Sequence, residues 1–219
     1  MVKVKICGIK RADEVQILNK FQVTYAGFIF AKSKRQVTIQ DYQGLSANLN
    51  PEIKRVGVFV NEPLDQLLKT IDECQLDVVQ LHGDESVDYI SEIPVEVWKT
   101  IPIKNKDSLT KVKEYETCVS GILFETYHEK LKGGTGKTFD WHLLEKLKLD
   151  GNLKVILAGG IHPLNAKEAI DIVNPDILDV NSGLEVEGYK NYEQVKRLFK
   201  ELKLWVNLEF MVANMCQNH

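Results

Sequence analysis

Eight short β-type runs recur along this chain, and each is separated from the next by a stretch long enough for a helix. They are Val2–Cys7, Tyr25–Phe30, Arg55–Val60, Val78–His82, Val95–Ile101, Gly121–Glu125, Lys154–Ala158 and Ile177–Val180. Amphipathic segments such as Asp13–Lys20, Leu64–Glu73 and Trp141–Leu149 lie between them, the last with Leu143, Leu144 and Leu147 at helical spacing. Strict alternation with short connections implies parallel strands. Eight repeats in 219 residues suit an α/β chain closed into a single (β/α)8 TIM barrel. An open doubly wound sheet is the competitor, but the Gly-x-Gly-x-x-Gly fingerprint that would favour it is missing after the first strand. The barrel is expected to occupy residues 1–204, with no linker or second domain. Trp205–Val212 is apolar yet too short to span a bilayer, which leaves 205–219 as a C-terminal tail of unknown role.

Side chains alternate across a strand, so parity separates the barrel interior from the face under the helices. In the first strand Val2, Val4 and Ile6 oppose Lys3, Lys5 and Cys7; in the fourth Val79 and Leu81 oppose Gln80 and His82. In the sixth Ile122 and Phe124 oppose Leu123 and Glu125, and in the eighth Leu178 and Val180 oppose Asp179 and Asn181. The apolar sets belong against helices. The polar sets then point inward near strand C-termini, where barrel enzymes place their sites.

Two strand ends have the composition of an anion site. Lys154–Ala158 closes on Gly159 and Gly160 and runs into a helix start at Pro163, with apolar Leu164, Ala169 and Ile170. Ile177–Val180 leads through Asn181 to Ser182 and Gly183. Glycines there let backbone N–H groups approach an anion, and a phosphate site in the last two loops of a barrel needs two such ends. Tight strand-to-helix turns are the other use of the same glycines. The longest loop, Thr126–Trp141, holds Gly-Gly-Thr-Gly-Lys and reads as a mobile cover or anion contact; it lacks the full Walker spacing. Asp140 is expected to cap the helix behind it.

A net charge of 28 minus 31, or −3, gives no nucleic-acid footprint. Cys7, Cys74, Cys118 and Cys216 form no CxxC pair, so neither a zinc site nor a disulfide framework is expected. There is no signal-peptide shape and no apolar run of membrane length, so the expected location is a reducing cytoplasm. On residue types, Cys7 and Glu125 facing each other across the pocket suit proton abstraction on one side and donation on the other. Lys5 on the thiol's face, and the bare amides across the pocket, would favour thiolate. A strand cysteine is also a common inert core residue.

The ordered motifs decide more than their parts. Lys5-Ile6-Cys7-Gly8, Gly27-Phe28-Ile29-Phe30 with Lys32-Ser33-Lys34-Arg35, Gly57-Val58-Phe59-Val60-Asn61 and Gln80-Leu81-His82-Gly83 come first. Gly133 through Trp141, Leu157-Ala158-Gly159-Gly160 and Asp179 through Glu185 follow. Together they resemble the phosphoribosylanthranilate isomerase family up to about residue 203. The resemblance implies an Amadori rearrangement of N-(5-phosphoribosyl)anthranilate to 1-(o-carboxyphenylamino)-1-deoxyribulose 5-phosphate in tryptophan biosynthesis, with no cofactor or metal. It implies a small-molecule substrate, no nucleic-acid or membrane partner, and a monomer or homodimer. By the same resemblance Cys7 is the general base and Glu125 the general acid. Arg35 holds the anthranilate carboxylate, Asp179 lies near the sugar hydroxyls and His82 at the pocket rim, while Gly159, Gly160, Ser182 and Gly183 cradle phosphate.

The chain departs from the family pattern at four places. Leu123-Phe124-Glu125-Thr126 stands where the family has Leu-Leu-Asp-Thr, adding a methylene to the acid. Asn181 replaces a frequent serine, Lys34 a frequent proline and Asn191 a frequent aspartate. Two other readings remain: a sugar-phosphate epimerase or thiamine-phosphate-type synthase, and a barrel that binds a phosphorylated metabolite without turnover. An epimerase would need several metal-ligand histidines at strand ends, where only His82 is available.

Overall fold

The computed structural model describes residues 1–127, 138–145, 147, 149, 151 and 153–203. The Gly133–Lys137 core of the longest loop, Cys216 and the 205–219 tail lie outside the described residues. The strands are β1 (Lys3–Cys7), β2 (Tyr25–Ile29), β3 (Lys54–Phe59), β4 (Val78–Leu81), β5 (Glu96–Ile103), β6 (Gly121–Thr126), β7 (Lys154–Leu157) and β8 (Ile177–Val180). They pair in sequence order, all parallel, and β8 closes on β1 with Lys5 opposite Asp179. The helices are α1 (Ala12–Leu18), α2 (Ile39–Ser46), α3 (Leu64–Cys74), α4 (Val87–Ser91), α5 (Val112–Tyr115), α6 (Ala166–Val173) and α7 (Tyr192–Glu201). The eight-stranded barrel is the architecture that the alternation required.

Parity holds around the ring. Val4, Ile6, Val79, Leu81, Ile122, Phe124, Leu178 and Val180 belong to the core shared with the helices. Inside, Tyr25, Val56, Val78, Trp98, Leu123, Ile156, Ala158 and Ile177 form a separate apolar cluster. Tyr25 meets Trp98 edge-on at 4.9 Å between centroids, and the Trp98 indole donates to Glu96 Oε1 at 2.7 Å. Burying these rings fills the barrel and leaves room for ligands only above them. Two residues further along β4, β5, β6 and β8 the inward positions turn polar, at Gln80, Thr100, Glu125 and Asp179.

Three elements depart from the expected pattern. The helix expected over Trp141–Leu149 is a 3₁₀ turn, Trp141–Leu143, and residues 146 and 148 lie outside the described residues. Asp140 does cap that turn, accepting from the His142 N–H at 3.1 Å. The helix expected to start at Pro163 starts at Ala166, because Asn165 accepts from the His162 N–H and donates to the Gly160 carbonyl, closing a turn first. Leu164 is consequently 70% exposed rather than on the buried face. An antiparallel pair, β9 (Glu185–Val186) and β10 (Tyr189–Lys190), follows β8.

A buried ion pair braces the rim. Lys99 Nζ donates to Glu85 Oε2 at 2.6 Å and to the Gly83 carbonyl at 2.7 Å. Glu85 Oε1 accepts from the N–H groups of Asn61 and Gly83. The loops after β3 and β4 are thereby tied to β5, beside His82.

Gly27 shows how the sequence makes space for the site. A Cβ at Gly27 would lie 2.7 Å from Cys7 Sγ and 3.0 Å from Lys5 Nζ. The sulfur and the ammonium occupy the room a side chain would take. Gly27→Ala is therefore expected to displace Sγ, costing about 1–3 kcal/mol of stability and about tenfold or more in turnover of the substrate that the family resemblance implies; thermal unfolding together with an activity assay measures both.

Candidate active site

The strand C-termini open into a cavity of about 910 Å³. Cys7, Arg35, Gln80, His82, Glu125, Gly159, Gly160, Asp179 and Ser182 all line it. Of the residues expected there, Gly183 alone is not in the lining. A Cβ on Gly183 would sit 2.0 Å from the Ile161 carbonyl oxygen, so its bareness lets the loops after β7 and β8 touch. Gly159 and Gly160 have φ of 85° and 69°, and a Cβ at Gly159 would meet the Thr126 backbone nitrogen at 2.8 Å. Glycine is required there on both counts.

The floor of the polar region is a three-residue cluster. Lys5 is fully buried, and its ammonium donates to Asp179 Oδ2 at 2.7 Å. Burial opposes that charge, yet Asp179 and Cys7 outweigh it and hold Lys5 above its ordinary pKa. Cys7 is 5% exposed, at the cavity wall. The expectation that its surroundings favour thiolate is overturned. Burial pushes the Cys7 thiol up, and Lys5, already committed to Asp179, only partly offsets it. A raised pKa makes the group a stronger base when ionised.

Across the cavity, the imidazole of His82 lies between Gln80 and Glu125. Its Nε2 meets Gln80 Nε2, and its Nδ1 is 3.6 Å from Glu125 Oε2. Asp179 Oδ1 and Gln80 Oε1 are buried acceptors with no hydrogen-bond partner among the described residues. Two orphaned acceptors in residues that line one cavity are suited to ligand hydroxyl groups. Among the described residues no group of three or more His, Cys, Asp or Glu could hold a metal ion, and no helix is long and apolar enough to cross a membrane.

The family model for N-(5'-phosphoribosyl)anthranilate (PRA) isomerase matches residues 4–201. The chain belongs to this family. An N-(5'-phosphoribosyl)anthranilate isomerase from a Thermoanaerobacter species is 46% identical over 204 residues, covering 93% of this chain and 98% of the relative. One from Clostridium acetobutylicum is 40% identical over 93% of this chain and 98% of its own. The crystal structure of the phosphoribosyl anthranilate isomerase of Thermotoga maritima superposes with a TM-score of 0.83 at 34% identity, covering 93% and 99% of the two chains. A further phosphoribosyl anthranilate isomerase, in complex with reduced 1-(o-carboxyphenylamino)-1-deoxyribulose 5-phosphate, superposes at 0.79 with 32% identity and the same coverage.

As a member of the PRA isomerase family, the chain places Arg35 less freely than the sequence suggested. Its Nε and Nη2 donate to the two oxygens of Glu185, each at 2.6 Å. Lys190 Nζ donates to Glu185 Oε1 at 2.7 Å and to Asn181 Oδ1 at 2.9 Å. In the sequence Glu185 stands within a motif that assigns it no task, and Lys190 carries no signal of its burial. Gln80 showed its inward parity but not its orphaned carbonyl.

The Glu185 carboxyl falls to about 2: burial raises it, but Arg35 and Lys190 lower it more. A carboxylate depressed in the folded state stabilises above its unfolded pKa and loses that contribution as pH falls through the folded value. The Arg35–Glu185–Lys190 contribution should thus be complete above about pH 4.5 and disappear toward about pH 2. Glu185→Gln should flatten the acid limb of the stability curve in that window, as read by denaturant unfolding at stepped pH.

Proposed function

We propose that this chain converts N-(5-phosphoribosyl)anthranilate to 1-(o-carboxyphenylamino)-1-deoxyribulose 5-phosphate in tryptophan biosynthesis, with the activity housed in residues 1–204. The observation that carries this reading is the presence of a thiol and a carboxyl on one cavity wall set, Cys7 and Glu125, beside the glycine loops after β7 and β8. Glu125, as general acid, protonates the furanose ring oxygen, and the bond from that oxygen to C1′ breaks to give an iminium. Cys7, as thiolate, removes the C2′ proton, and the electron pair flows to nitrogen to give an enolamine. Tautomerisation then yields the aminoketose. C1′ is reduced and C2′ oxidised within one molecule, so the balance calls for no external redox cofactor.

Arg35 faces the ring carboxylate in this reading, suited to it by its planar guanidinium. Asp179 Oδ1 and Gln80 Oε1 accept from the sugar hydroxyls, and His82 holds Glu125 at the rim. Backbone N–H groups at Gly159, Gly160, Ser182 and Gly183 take the phosphate. The enzyme works in the cytoplasm, as a monomer or homodimer. Freshly made phosphoribosylanthranilate should lose its fluorescence when the protein is added, with catalytic turnover. The longer acid at position 125 favours one alternative, a barrel that binds without reacting. Tight binding of a product analogue with no loss of substrate fluorescence would establish that alternative and end the isomerase reading.

A further inference from the structure

Arg35 is 5% exposed and reaches the cavity from the loop after β2, over the backbone of Gly8. A Cβ at Gly8 would meet Arg35 Cδ at 2.6 Å, so the stem lies flat against the chain just beyond Cys7. At its far end the guanidinium is held by two parallel bonds to Glu185, a geometry that fixes the plane of the fork and not merely its position. Glu185 is fixed in turn by Lys190, whose side chain is fully buried. The Lys190 backbone N–H is tied at 2.8 Å to Glu14 Oε1, a carboxylate that also accepts from the Lys10 and Arg11 N–H groups. Lys190 Nζ spends its other bonds on the side-chain and main-chain oxygens of Asn181, the residue before Ser182.

Two cations share one carboxylate here, so the cluster of Arg35, Glu185 and Lys190 carries one surplus positive charge. Lys190 directs its bonds at Asn181 and Glu185. The edge of Arg35 turned away from Glu185 is the part left to meet an anion. We propose that Glu185 and Lys190 are positioning residues: together they aim Arg35 at the substrate's aryl carboxylate and so set the preference for a carboxylated ring. This rests on the isomerase reading and assigns the two residues no contact with the reacting atoms.

A cycle over protein and ligand tests it. The dissociation constant of reduced 1-(o-carboxyphenylamino)-1-deoxyribulose 5-phosphate is measured beside that of the same compound lacking the ring carboxylate, for the wild type and for Glu185→Gln. The wild type should prefer the carboxylated compound, and Glu185→Gln should shrink that preference at least tenfold while the affinity for the decarboxylated compound changes less than threefold. With the natural substrate, KM should rise more than kcat falls. An unchanged preference, with both compounds weakened equally, would mean a role in folding alone and would overturn the proposal. If Glu185→Gln does not fold, the same ratio measured on Lys190→Gln decides it, with a fall of several-fold expected and no change overturning it. Turnover by the wild type is assayed alongside: its absence would remove the isomerase reading, whereas turnover with an unchanged preference removes only the positioning role.

Discussion

Cys7→Ala is expected to lower kcat for phosphoribosylanthranilate by about 10²–10⁴-fold, the usual contribution of a positioned acid–base group, with KM changed only a few-fold. The sulfur lies beside Lys5 and Gly27, at the wall of the cavity. Asp179 is the nearest alternative, and its Oδ2 is held by Lys5 at 2.7 Å. The pH profile provides an independent check. Burial raises the Cys7 pKa above its ordinary value of 9.0, and only the thiolate is a base. The thiolate fraction, and with it kcat/KM, should therefore climb with rising pH through neutrality and keep climbing into the alkaline range. Cys7→Asp would substitute a carboxylate, already ionised near neutrality, and should flatten that climb at reduced rate. A Cys7→Ala enzyme within tenfold of wild type would remove the thiol from the mechanism.

The barrel was legible because its signal is periodic and repeated. The first, fourth, sixth and eighth strands show their two faces, and the inward polar positions Lys5, Cys7, Gln80, His82, Glu125, Asp179 and Asn181 follow from alternation alone. What alternation cannot give is the partner of each inward group. Lys5 beside Cys7 suggested an activated thiolate, but its bond to Asp179, a residue 174 positions away, could not be read from either strand. The same limit hid the clamp on Arg35, whose members lie on the loop after β2, on β9 and on β10. Local chemistry was more transparent. Asn191, which departs from the family's frequent aspartate, caps α7 by accepting from the Glu193 and Gln194 N–H groups at 3.0 and 3.2 Å, a task both side chains perform. The start of α6 was misplaced because a proline near an apolar run signals a helix equally well when a turn intervenes.

Glu125→Gln is expected to be as damaging as the loss of the thiol, because an amide keeps the shape of the side chain but has no acidic proton to give the ring oxygen. A fall in kcat of about 10²–10⁴-fold is predicted, with binding of the reduced product analogue retained. Glu125→Asp is the more discriminating change. Glu125 Oε2 stands 3.6 Å from His82 Nδ1, close enough for ligand binding to draw the two together, and shortening the chain by one methylene withdraws the carboxyl from that partner. Misplacement by about an ångström can cost on the order of a hundredfold. The aspartate should therefore turn over more slowly than wild type and faster than the glutamine, and pairing it with His82→Ala should add little, since the contact is already gone. Near-full activity in Glu125→Gln would exclude this carboxyl as the acid. An aspartate variant faster than wild type would mean that the cavity is shaped for the shorter acid and that Glu125 is a handicap the enzyme carries.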